Sequence, residues 1–392
     1  MTQDSILALN SGSSSVKFGL YDIGSSAKLH LVARGTLDVG DAPRLIAKAA
    51  DGTRLCDRQF SGAAPQAGFR ELLRCIEEEF GERRLVAAGH RIVHGGRDFA
   101  DPVRLTASVV EAIEGLTPLA PLHQPGSLAP IRALADMRPD LPQVGCFDTA
   151  FHRTIEPLVS RFALPRRYEA NGIRRYGFHG LSYEYIARRL SEMGLAGKRT
   201  IVAHLGNGAS LCAIRGGKSV DTTMGFSALD GLVMGTRCGA IDPGILLYLL
   251  LEDRMPPQEL QRVLYEVSGL LGVSGISGDM RTLEASADPH AREAVELFVF
   301  RAAREVSALA NTMGGLDCLV FTAGIGERSV SIRKAICERL RWLGVAIDEP
   351  SNDADAELIS RADSSVEIRV VPSDEEIVIA HHTHAILYGD DR

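Results

Sequence analysis

Two short segments, about half the chain apart, share a pattern that limits the folds open to this sequence. They are residues 6–12 and 201–208, and each is an apolar stretch that leads into a glycine-containing turn. Each is followed by a second strand-like alternation, at residues 16–21 and 209–214. Because internal repeats are a sign of duplicated folds, the pattern predicts two related halves, each with a strand–turn–strand unit. The match is short, so chance similarity is the alternative.

The rest of the chain alternates between strand-like and helix-like stretches, which predicts an α/β fold. The strand-like stretches are 85–93, 143–147, 318–321 and 365–371, and the helix-like stretches are 108–116, 127–137, 182–193, 257–267, 290–313 and 374–387. Ser182 is the expected N-cap of its helix. The apolar run at 244–251 is too short to span a membrane and is expected to be a core helix at most, with a dimer interface as the alternative for 245–251.

The first glycine turn, NSGSSSVK at residues 10–17, is a candidate anion site. Its backbone N–H groups and four serine hydroxyls can face an anion, and Lys17 can add a point charge. The run does not match the P-loop pattern, in which glycines precede a Lys at the start of a helix. An ordinary polar hairpin turn is the alternative, since Ser and Gly are common in turns.

Composition narrows the functional class. The 392 residues are 45% hydrophobic and 24% charged, which is typical of an enzyme with well-buried cores, and the formal net charge is −7. A net negative charge argues against a nucleic-acid-binding protein with a broad basic surface. The seven cysteines form no C-x-x-C motif, and the N-terminus lacks the basic and apolar regions of a signal peptide. These features predict reduced thiols in a cytoplasmic protein.

Several other glycine-rich stretches carry charged residues. Arg91 lies near a strand end, Asp148 follows an apolar strand, and His179 and Arg237 stand among glycines. The TAGIGE segment at 322–327 is expected to be a glycine turn between strand and helix, suited to an adenosine or a phosphate. Cations together with carboxylates that can hold a hard divalent ion indicate phosphoryl transfer with Mg²⁺.

The sequence resembles the acetate/butyrate kinase family of the actin, sugar kinase and Hsp70 superfamily. The matching motifs run in the same order along nearly the whole chain: NSGSSSVK, HRIVHGG, PLAPLH, FDTAFH, RRYGFHGLSY, HLGNGAS, TTMGF, MGTRCGAIDP, SGLLGVSGISGDMR, FTAGIGE and DEEIVIA. The resemblance implies duplicated actin-like (ribonuclease H-like) α/β domains around a central nucleotide cleft. It implies an N-terminal domain of residues 1–150, joined by the helix 373–392, and a nucleotide-binding domain of residues 151–372.

The resemblance also implies an activity and a set of site residues. The activity is reversible, Mg²⁺-dependent transfer of the γ-phosphoryl group of ATP to acetate, giving acetyl phosphate and ADP, with Mn²⁺ as an alternative ion. The implied catalytic residues are Asp148, His179 and Arg237; Arg91 would bind acetate, with Val93, Leu122 and Phe178 around its methyl group. Asn10 and Glu375 would position the metal. The nucleotide would contact Lys17, His204, Leu205, Gly206, Asn207, Gly208, Asp279, Met280, Arg281, Gly324, Ile325, Gly326, Glu327 and Arg328. A cytoplasmic homodimer with no nucleic-acid or membrane partner is expected.

The chemistry of this reaction explains the need for cations. Acetate is an anion at neutral pH and has no proton to lose, so its attack on phosphorus needs no general base. The obstacle is its repulsion from an anionic γ-phosphate, which Arg91, Arg237 and His179 can reduce together with Mg²⁺. Asp148 is therefore expected to orient the metal's water shell or an arginine, with proton transfer as the alternative role.

Four positions depart from the family pattern. Ala228 stands where the family has Pro in the wall of the methyl pocket, and Gln124, Arg328 and Asp374 each replace an Asn. Because Ala is smaller than Pro, a propionate or other short-chain carboxylate kinase is the closest alternative. An alternative from another functional class is a nucleotide-gated binding protein of the actin or Hsp70 type, which slow ATP hydrolysis indifferent to acetate would support.

Overall fold

The protein is described by a computed structural model that covers residues 3–12, 15–24, 28–38, 43–60 and 65–389. Ser13 and Ser14 of the first glycine turn lie outside the described residues. The strands are β1 (Gln3–Ser11), β2 (Ser15–Ile23), β3 (Leu29–Asp38), β4 (Arg44–Ala49), β5 (Arg54–Gln59), β6 (Arg83–Ile92), β7 (Val103–Arg104), β8 (Gln143–Phe147), β9 (Thr200–Leu205), β10 (Ala209–Arg215), β11 (Lys218–Thr222), β12 (Cys318–Thr322) and β13 (Glu367–Val370).

The helices cover much of the remaining described chain. They are α1 (Pro65–Phe80), α2 (Ala107–Glu114), α3 (Gln124–Met137), α4 (Pro157–Ser160), α5 (Arg166–Ala170), α6 (Gly180–Glu192), α7 (Pro243–Leu251), α8 (Pro257–Glu266), α9 (Gly269–Ser274), α10 (Met280–Glu284), α11 (Pro289–Met313), α12 (Ala323–Arg328), α13 (Val330–Arg339), α14 (Glu349–Asp353) and α15 (Glu375–Tyr388). Within the described ranges, no helix has both the length and the apolar character needed to cross a membrane.

The chain divides into two compact units. Unit 1 comprises residues 1–151 and 374–392, and unit 2 comprises residues 152–373. Unit 1 contains an eight-stranded sheet in the order β5-β4-β3-β2-β1-β6-β8-β7. Unit 2 contains a five-stranded sheet in the order β11-β10-β9-β12-β13.

The first strand of unit 1 is buried on both faces because helices cover each side of it. Leu7 and Leu9 point into a core that α1 and α3 complete. Ile6 and Ala8 point to the opposite face, where α15 packs against β1 and β6. This double burial explains why β1 reads as a nearly continuous apolar run rather than an alternating one.

The two sheets repeat one arrangement. In unit 1, β1 pairs antiparallel with β2 and parallel with β6, and β6 pairs parallel with β8. In unit 2, β9 pairs antiparallel with β10 and parallel with β12, and β12 pairs parallel with β13. The similarity between residues 6–12 and 201–208 therefore reflects equivalent strands, and the predicted duplicated α/β fold is confirmed.

Two local predictions are wrong, and of two alternatives for a third element one is excluded. Residues 323–328 are helical, as α12, rather than a glycine turn, because Glu327 accepts a hydrogen bond from the first amide of the helix. Helix α6 begins at Gly180 with His179 as its N-cap residue, so Ser182 lies inside the helix. Helix α7 is not a core helix, since none of its residues is buried within this chain.

Candidate active site

The carboxyl ends of three parallel strands bring predicted site residues together in unit 1. Asn10 lies near the end of β1, Arg91 near the end of β6, and Asp148 directly after β8. Neighbouring strands that run in the same direction end at the same sheet edge, which is the usual place for a ligand site in α/β proteins. Their contacts follow from this shared edge.

Arg91 and Asp148 form a bidentate ion pair. Arg91 Nε lies 3.1 and 3.0 Å from the two Asp148 carboxylate oxygens, and Nη2 lies 2.6 Å from Oδ2. The Asp148 side chain is only 1% exposed. Although burial alone would lower the pKa of Arg91, the charges of Asp148, Glu375 and Glu376 raise this pKa above its ordinary value. Arg91 is therefore a fixed cation whose orientation Asp148 controls.

Asn10 connects this pair to the start of α15. Its side-chain Oδ1 accepts a hydrogen bond from Arg91 Nη1 at 3.2 Å. Its Nδ2 donates to Glu375 Oε2 at 2.9 Å and to Glu376 Oε1 at 2.8 Å. Asp374 caps the helix by accepting a hydrogen bond from the Ile377 amide at 3.0 Å. The structure thus joins Asn10, Arg91, Asp148 and Glu375 in one polar network.

Glu376 is a member of this network that the sequence reasoning left out. Burial, and then the neighbouring charge of Glu375, raise the pKa of the Glu376 carboxyl, while the charge of Lys17 lowers it. Lys17 itself is exposed, and its backbone lies opposite that of Asn10 where β1 and β2 pair antiparallel. The signal for Glu376 was available, because it directly follows Glu375 at the start of a helix.

The donors around Asn10 fit a hard divalent cation. Carboxylate and amide oxygens are the ligands that Mg²⁺ prefers, and Mg²⁺ commonly takes one or two carboxylates together with water and substrate phosphates. Among the residues that the structure describes, no cluster of three or more His, Cys, Asp or Glu side chains forms a ready metal cage. Asn10, Glu375 and Glu376 thus offer oxygen donors of the kind that Mg²⁺ takes.

The other predicted residues of unit 1 differ in exposure. Val93 is buried, whereas Leu122 is 42% exposed. Gln124, one of the departures from the family pattern, is fully buried. Its side chain accepts a hydrogen bond from the His94 amide at 3.2 Å and donates to the His94 carbonyl at 3.0 Å. Gln124 therefore has a structural role, as it fixes the chain just after β6.

In unit 2, His179 has an unusual backbone and a fixed ring. Its φ of +59° places it in the left-handed region, which is uncommon for residues other than glycine. The imidazole stacks on that of His204, with 4.3 Å between the ring centroids. Its Nδ1 lies 2.8 Å from the Ser210 hydroxyl. A strained backbone that is held in place by surrounding contacts is typical of functional positions.

The side chains of His179 and Arg237 both approach Gly208. A Cβ atom at Gly208 would lie 2.6 Å from Arg237 Nη2 and 3.4 Å from His179 Nε2. Arg237 is held from the other side, because its Nη1 donates to the Ala228 carbonyl at 2.8 Å. Two potential cations therefore border the same glycine turn that follows β9.

Two predicted nucleotide segments approach Gly235 in unit 2. The Gly235 amide donates to the Asn207 carbonyl at 3.0 Å. A Cβ at Gly235 would lie 3.1 Å from the Gly278 carbonyl oxygen, so the segment before Asp279 approaches the same point. Asp279 caps α10 and pairs with the exposed Arg281, and this hydrogen bond lowers the pKa of the Asp279 carboxyl.

The segment 324–328 lies in α12, next to these turns. Thr322, just before it, pairs with His204 on β9. The Oε1 atom of Glu327 accepts hydrogen bonds from the backbone amides of Ala323 at 2.9 Å and Ser373 at 3.1 Å. Gly324 and Arg328 are exposed and Ile325 is partly exposed, whereas Gly326 is buried. Leu205 and Met280 are buried.

A fully buried arginine supports α12. Arg333, on α13, donates from Nη1 to the carbonyls of Gly326 at 3.1 Å and Glu327 at 2.8 Å. Its Nε donates to Asn352 Oδ1 at 2.7 Å, and its Nη2 donates to the Asp355 carboxylate. Arg333 was not predicted as a site residue, although it shares the apolar face of its helix with Ile336 and Cys337.

The residues predicted to surround a methyl group lie in different parts of the chain. Val93 and Leu122 belong to unit 1, and Phe178 and Ala228 belong to unit 2. The Phe178 side chain is 1% exposed and its carbonyl oxygen lies 2.9 Å from His152 Nε2. The Ala228 side chain is buried as well.

Comparison with known proteins gives the family. The sequence profile of the Acetokinase family matches residues 5–381. The chain belongs to this family. A curated acetate kinase from Rhodopseudomonas palustris is 49% identical over 394 residues, which cover 98% of this chain and 99% of that protein. An acetate kinase from Rhizobium meliloti is 47% identical over 98% of both chains.

Solved structures of acetokinase-family enzymes share the fold. A propionate kinase from Francisella tularensis superposes with a TM-score of 0.90 at 37% identity, covering 98% of this chain and 100% of that one. An acetate kinase from Porphyromonas gingivalis gives a TM-score of 0.86 at 35% identity, with the same coverage. The family predicted from the motifs is therefore confirmed, and this acetokinase-family chain is an enzyme of the phosphotransferase class with a carboxyl acceptor.

Proposed function

We propose that this chain is an acetate kinase, which reversibly transfers the γ-phosphoryl group of ATP to acetate and forms acetyl phosphate and ADP. The observation that carries the proposal is the placement of the predicted charged residues, Arg91 beside Asp148 at a strand end in unit 1 and His179 and Arg237 around Gly208 in unit 2. Full-length similarity to curated acetate kinases supports the choice of acceptor.

In this proposal Arg91 binds the acetate carboxylate. A guanidinium is a permanent planar cation with several N–H donors, and acetate would approach the edge of it that faces away from Asp148, where Nη1 donates to Asn10 Oδ1. Asp148 already engages Nε and Nη2 of Arg91, so it acts as the counter-ion that orients the guanidinium rather than as a base. This agrees with the chemistry, because an acetate anion has no proton for a base to remove.

His179 and Arg237 are assigned to the transferring phosphoryl group. Donors aimed at the oxygens of that group stabilise the charge that develops there. Their shared approach to Gly208 supports a joint role. The glycine turn 204–208, with Asp279–Arg281 and Gly324–Arg328, is assigned to ATP, and Lys17 to its phosphates.

Asn10 and Glu375 are assigned to Mg²⁺, with Mn²⁺ as an alternative ion. When bound, the metal would supply positive charge that offsets the phosphate oxygens. Asn10 holds the carboxylates of Glu375 and Glu376 side by side through its amide Nδ2. We include Glu376 in this assignment because its burial next to a second carboxylate favours a neighbouring cation.

An acid-by-acid assay tests the proposal. The protein is incubated with ATP, Mg²⁺ and acetate, propionate or butyrate in turn, and acyl phosphate is trapped with hydroxylamine. Acetate is expected to give the highest kcat/KM. Acyl phosphate from none of these acids would reject the class, and ATP hydrolysis that ignores acetate would favour a nucleotide-gated binding protein.

A propionate kinase is the second candidate, and Ala228 is the observation that favours it. One methylene group in a pocket is worth about 1–3 kcal/mol of selectivity, so a smaller wall residue changes preference more than reaction class. The variant Ala228→Pro is therefore expected to lower kcat/KM for propionate more than for acetate. A wild-type preference for propionate in the acid-by-acid assay would select this candidate.

We also propose a homodimer in the cytoplasm, with no nucleic-acid or membrane partner. Helix α7 supports the dimer, since its nine residues include no charged side chain and none is buried within the chain. Exposed Leu247, Tyr248 and Leu251 would be covered by a second copy. The seven free cysteines suit a reducing compartment.

A further inference from the structure

A chain of buried hydroxyl groups ends at His179. The Nδ1 atom of His179 lies 2.8 Å from Ser210 Oγ, and Ser210 Oγ is also in hydrogen-bond contact with the Tyr183 hydroxyl. The side chains of Ser210, on β10, and Tyr183, one turn further along α6, have no exposed surface. Neither residue has a role in the reaction as described so far.

The order of protons along this chain decides what His179 can do. If Tyr183 donates to Ser210 and Ser210 donates to His179, Nδ1 is an acceptor and the neutral ring carries its proton on Nε2. In the reverse order, Nδ1 carries the proton and Nε2 presents a lone pair. The Tyr183 phenol is a stronger acid than the Ser210 hydroxyl, which favours the first order.

The position of Nε2 favours the same order. Nε2 is the atom that approaches Gly208, at the turn bordered by Arg237. A neutral imidazole can stabilise phosphoryl oxygens from there only as an N–H donor, since a lone pair would repel them. Stacking on His204 fixes the plane of the ring, so the tautomer is the remaining variable.

We propose that Tyr183 and Ser210 are positioning residues that hold His179 as the Nε2–H tautomer, so that a neutral imidazole serves as a hydrogen-bond donor to the transferring phosphoryl group. The inference rests on the proposed function of His179. It resembles the way in which a second group orients the histidine of hydrolytic triads, here with hydroxyl groups in place of a carboxylate.

Nitrogen NMR of the histidine rings tests the tautomer without measuring activity. Long-range proton–nitrogen spectra distinguish a protonated ring nitrogen from an unprotonated one, and comparison with His179→Gln assigns the signals. The wild-type protein at neutral pH is expected to show His179 protonated at Nε2 only. Protonation at Nδ1 alone, or at both nitrogens, would overturn the proposal, and this spectrum needs no positioning variant to fold.

Tyr183→Phe then tests the role of the hydroxyl chain. Without the phenol proton, Ser210 is free to accept from Nδ1–H, so the spectrum is expected to show both tautomers. We expect kcat to fall by about tenfold or somewhat more. This is a smaller loss than the ~10²-fold that removal of a transition-state donor costs, and KM for ATP and acetate is expected to stay nearly unchanged. An unchanged tautomer and unchanged kcat would contradict the proposal.

Ser219→Ala is a matched control. Ser219 is equally buried, and its hydroxyl lies 2.8 Å from Nδ1 of another buried histidine, His152. This variant loses a comparable Ser–His hydrogen bond in the same unit and is expected to keep the His179 tautomer. If His179→Ala kept the wild-type kcat while the ring signals were as expected, the catalytic role of His179 would fail and the tautomer assignment would stand.

Discussion

At the scale of single residues, Gly208 sets how closely the Arg237 guanidinium and the His179 imidazole can approach the turn after β9. We predict that Gly208→Ala lowers kcat by about 10²-fold, because its Cβ would lie 2.6 Å from Arg237 Nη2 and would displace the guanidinium by roughly an ångström. Gly197→Ala is the control, since a Cβ there meets nothing within 4 Å. Steady-state kinetics and melting temperature of both variants provide the measurement, and equal kcat values would contradict the prediction.

Arg91 and Arg237 are each expected to be necessary for turnover. Replacing either with Ala should lower kcat by ~10²-fold or more, as the loss of a donor to a developing anion does. Arg262→Ala is a suitable control, because Arg262 makes an exposed pair with Glu259 on α8. The assay is acetyl phosphate formation at saturating ATP and acetate. Near-normal kcat in either variant would reject the proposed mechanism.

Some of the site could be predicted from single residues and some could not. Asn10, Arg91 and Asp148 could, because a polar residue at the end of an apolar strand is conspicuous. Ser210 and Arg333 could not, since Ser is common in strands and Arg333 looks like one charge among many on α13. Their roles depend on partners distant in sequence, Ser210 on His179 and Arg333 on Asn352.

At the scale of elements, α12 depends on Arg333. A helix of six residues has little stability of its own, and Arg333 binds carbonyl groups near its C-terminal end. We predict that Arg333→Lys destabilises the protein by about 3 kcal/mol, because an ammonium cannot replace the guanidinium fork in a buried network. The same variant is expected to raise KM for ATP more than KM for acetate.

The control for this prediction is on the same helix. Lys334 is a neighbour whose ion pair with Glu349 is exposed, so Lys334→Ala should change stability by less than about 1 kcal/mol. Urea denaturation gives the free energies of unfolding, and initial-rate kinetics give the two KM values. Equal effects of Arg333→Lys on both KM values would count against a specific link to the nucleotide segment.

Elements differed in how well the sequence indicated them. Strands β1, β8, β9 and β12 were predicted because they are buried along most of their length and read as apolar runs. Strands β3 to β5 were not predicted. They mix buried with partly exposed positions, as in β3, so their apolar residues are too scattered to stand out. For helix α7 the sequence left core and interface open, because an apolar helix is equally suited to both.

At the scale of the whole molecule, α7 predicts how two copies associate. Leu251→Arg on this helix is expected to weaken dimerisation by at least about 2 kcal/mol, the range of interface hot spots. Leu158→Arg is the control, because Leu158 is 83% exposed but lies on α4. Analytical ultracentrifugation over a range of concentrations gives the dissociation constants. A wild-type monomer, or equal effects of both substitutions, would contradict this interface.

Buried histidines predict sensitivity of the whole fold to acid. Burial lowers the pKa of His90, His94 and His152, each to about 4, whereas an unfolded histidine titrates near 6.5. Between these values the unfolded chain takes up protons that the folded chain does not. Stability is therefore complete above about pH 6.5 and falls as the pH drops towards 4, by up to about 3 kcal/mol for each histidine.

Urea denaturation at several pH values measures this loss. His90→Gln is expected to make the free energy of unfolding less dependent on pH between about 6.5 and 4, because one of the three groups no longer titrates. His290→Gln is the control, since His290 is exposed at the start of α11. The same pH dependence in wild type and His90→Gln would show that the unfolded chain gains no extra proton at this position.

Helix α15 gives unit 1 an order of assembly. Residues 1–151 leave the ribosome first, but the helix that covers Ile6 and Ala8 and carries Glu375 is made only after the whole of residues 152–373. Domains tend to fold as they are synthesised. The first sheet must therefore wait with one apolar face open while unit 2 is completed. The carboxylates beside Asn10 are made only after residues 152–373, so a nascent chain cannot form the proposed metal site until unit 2 has been synthesised.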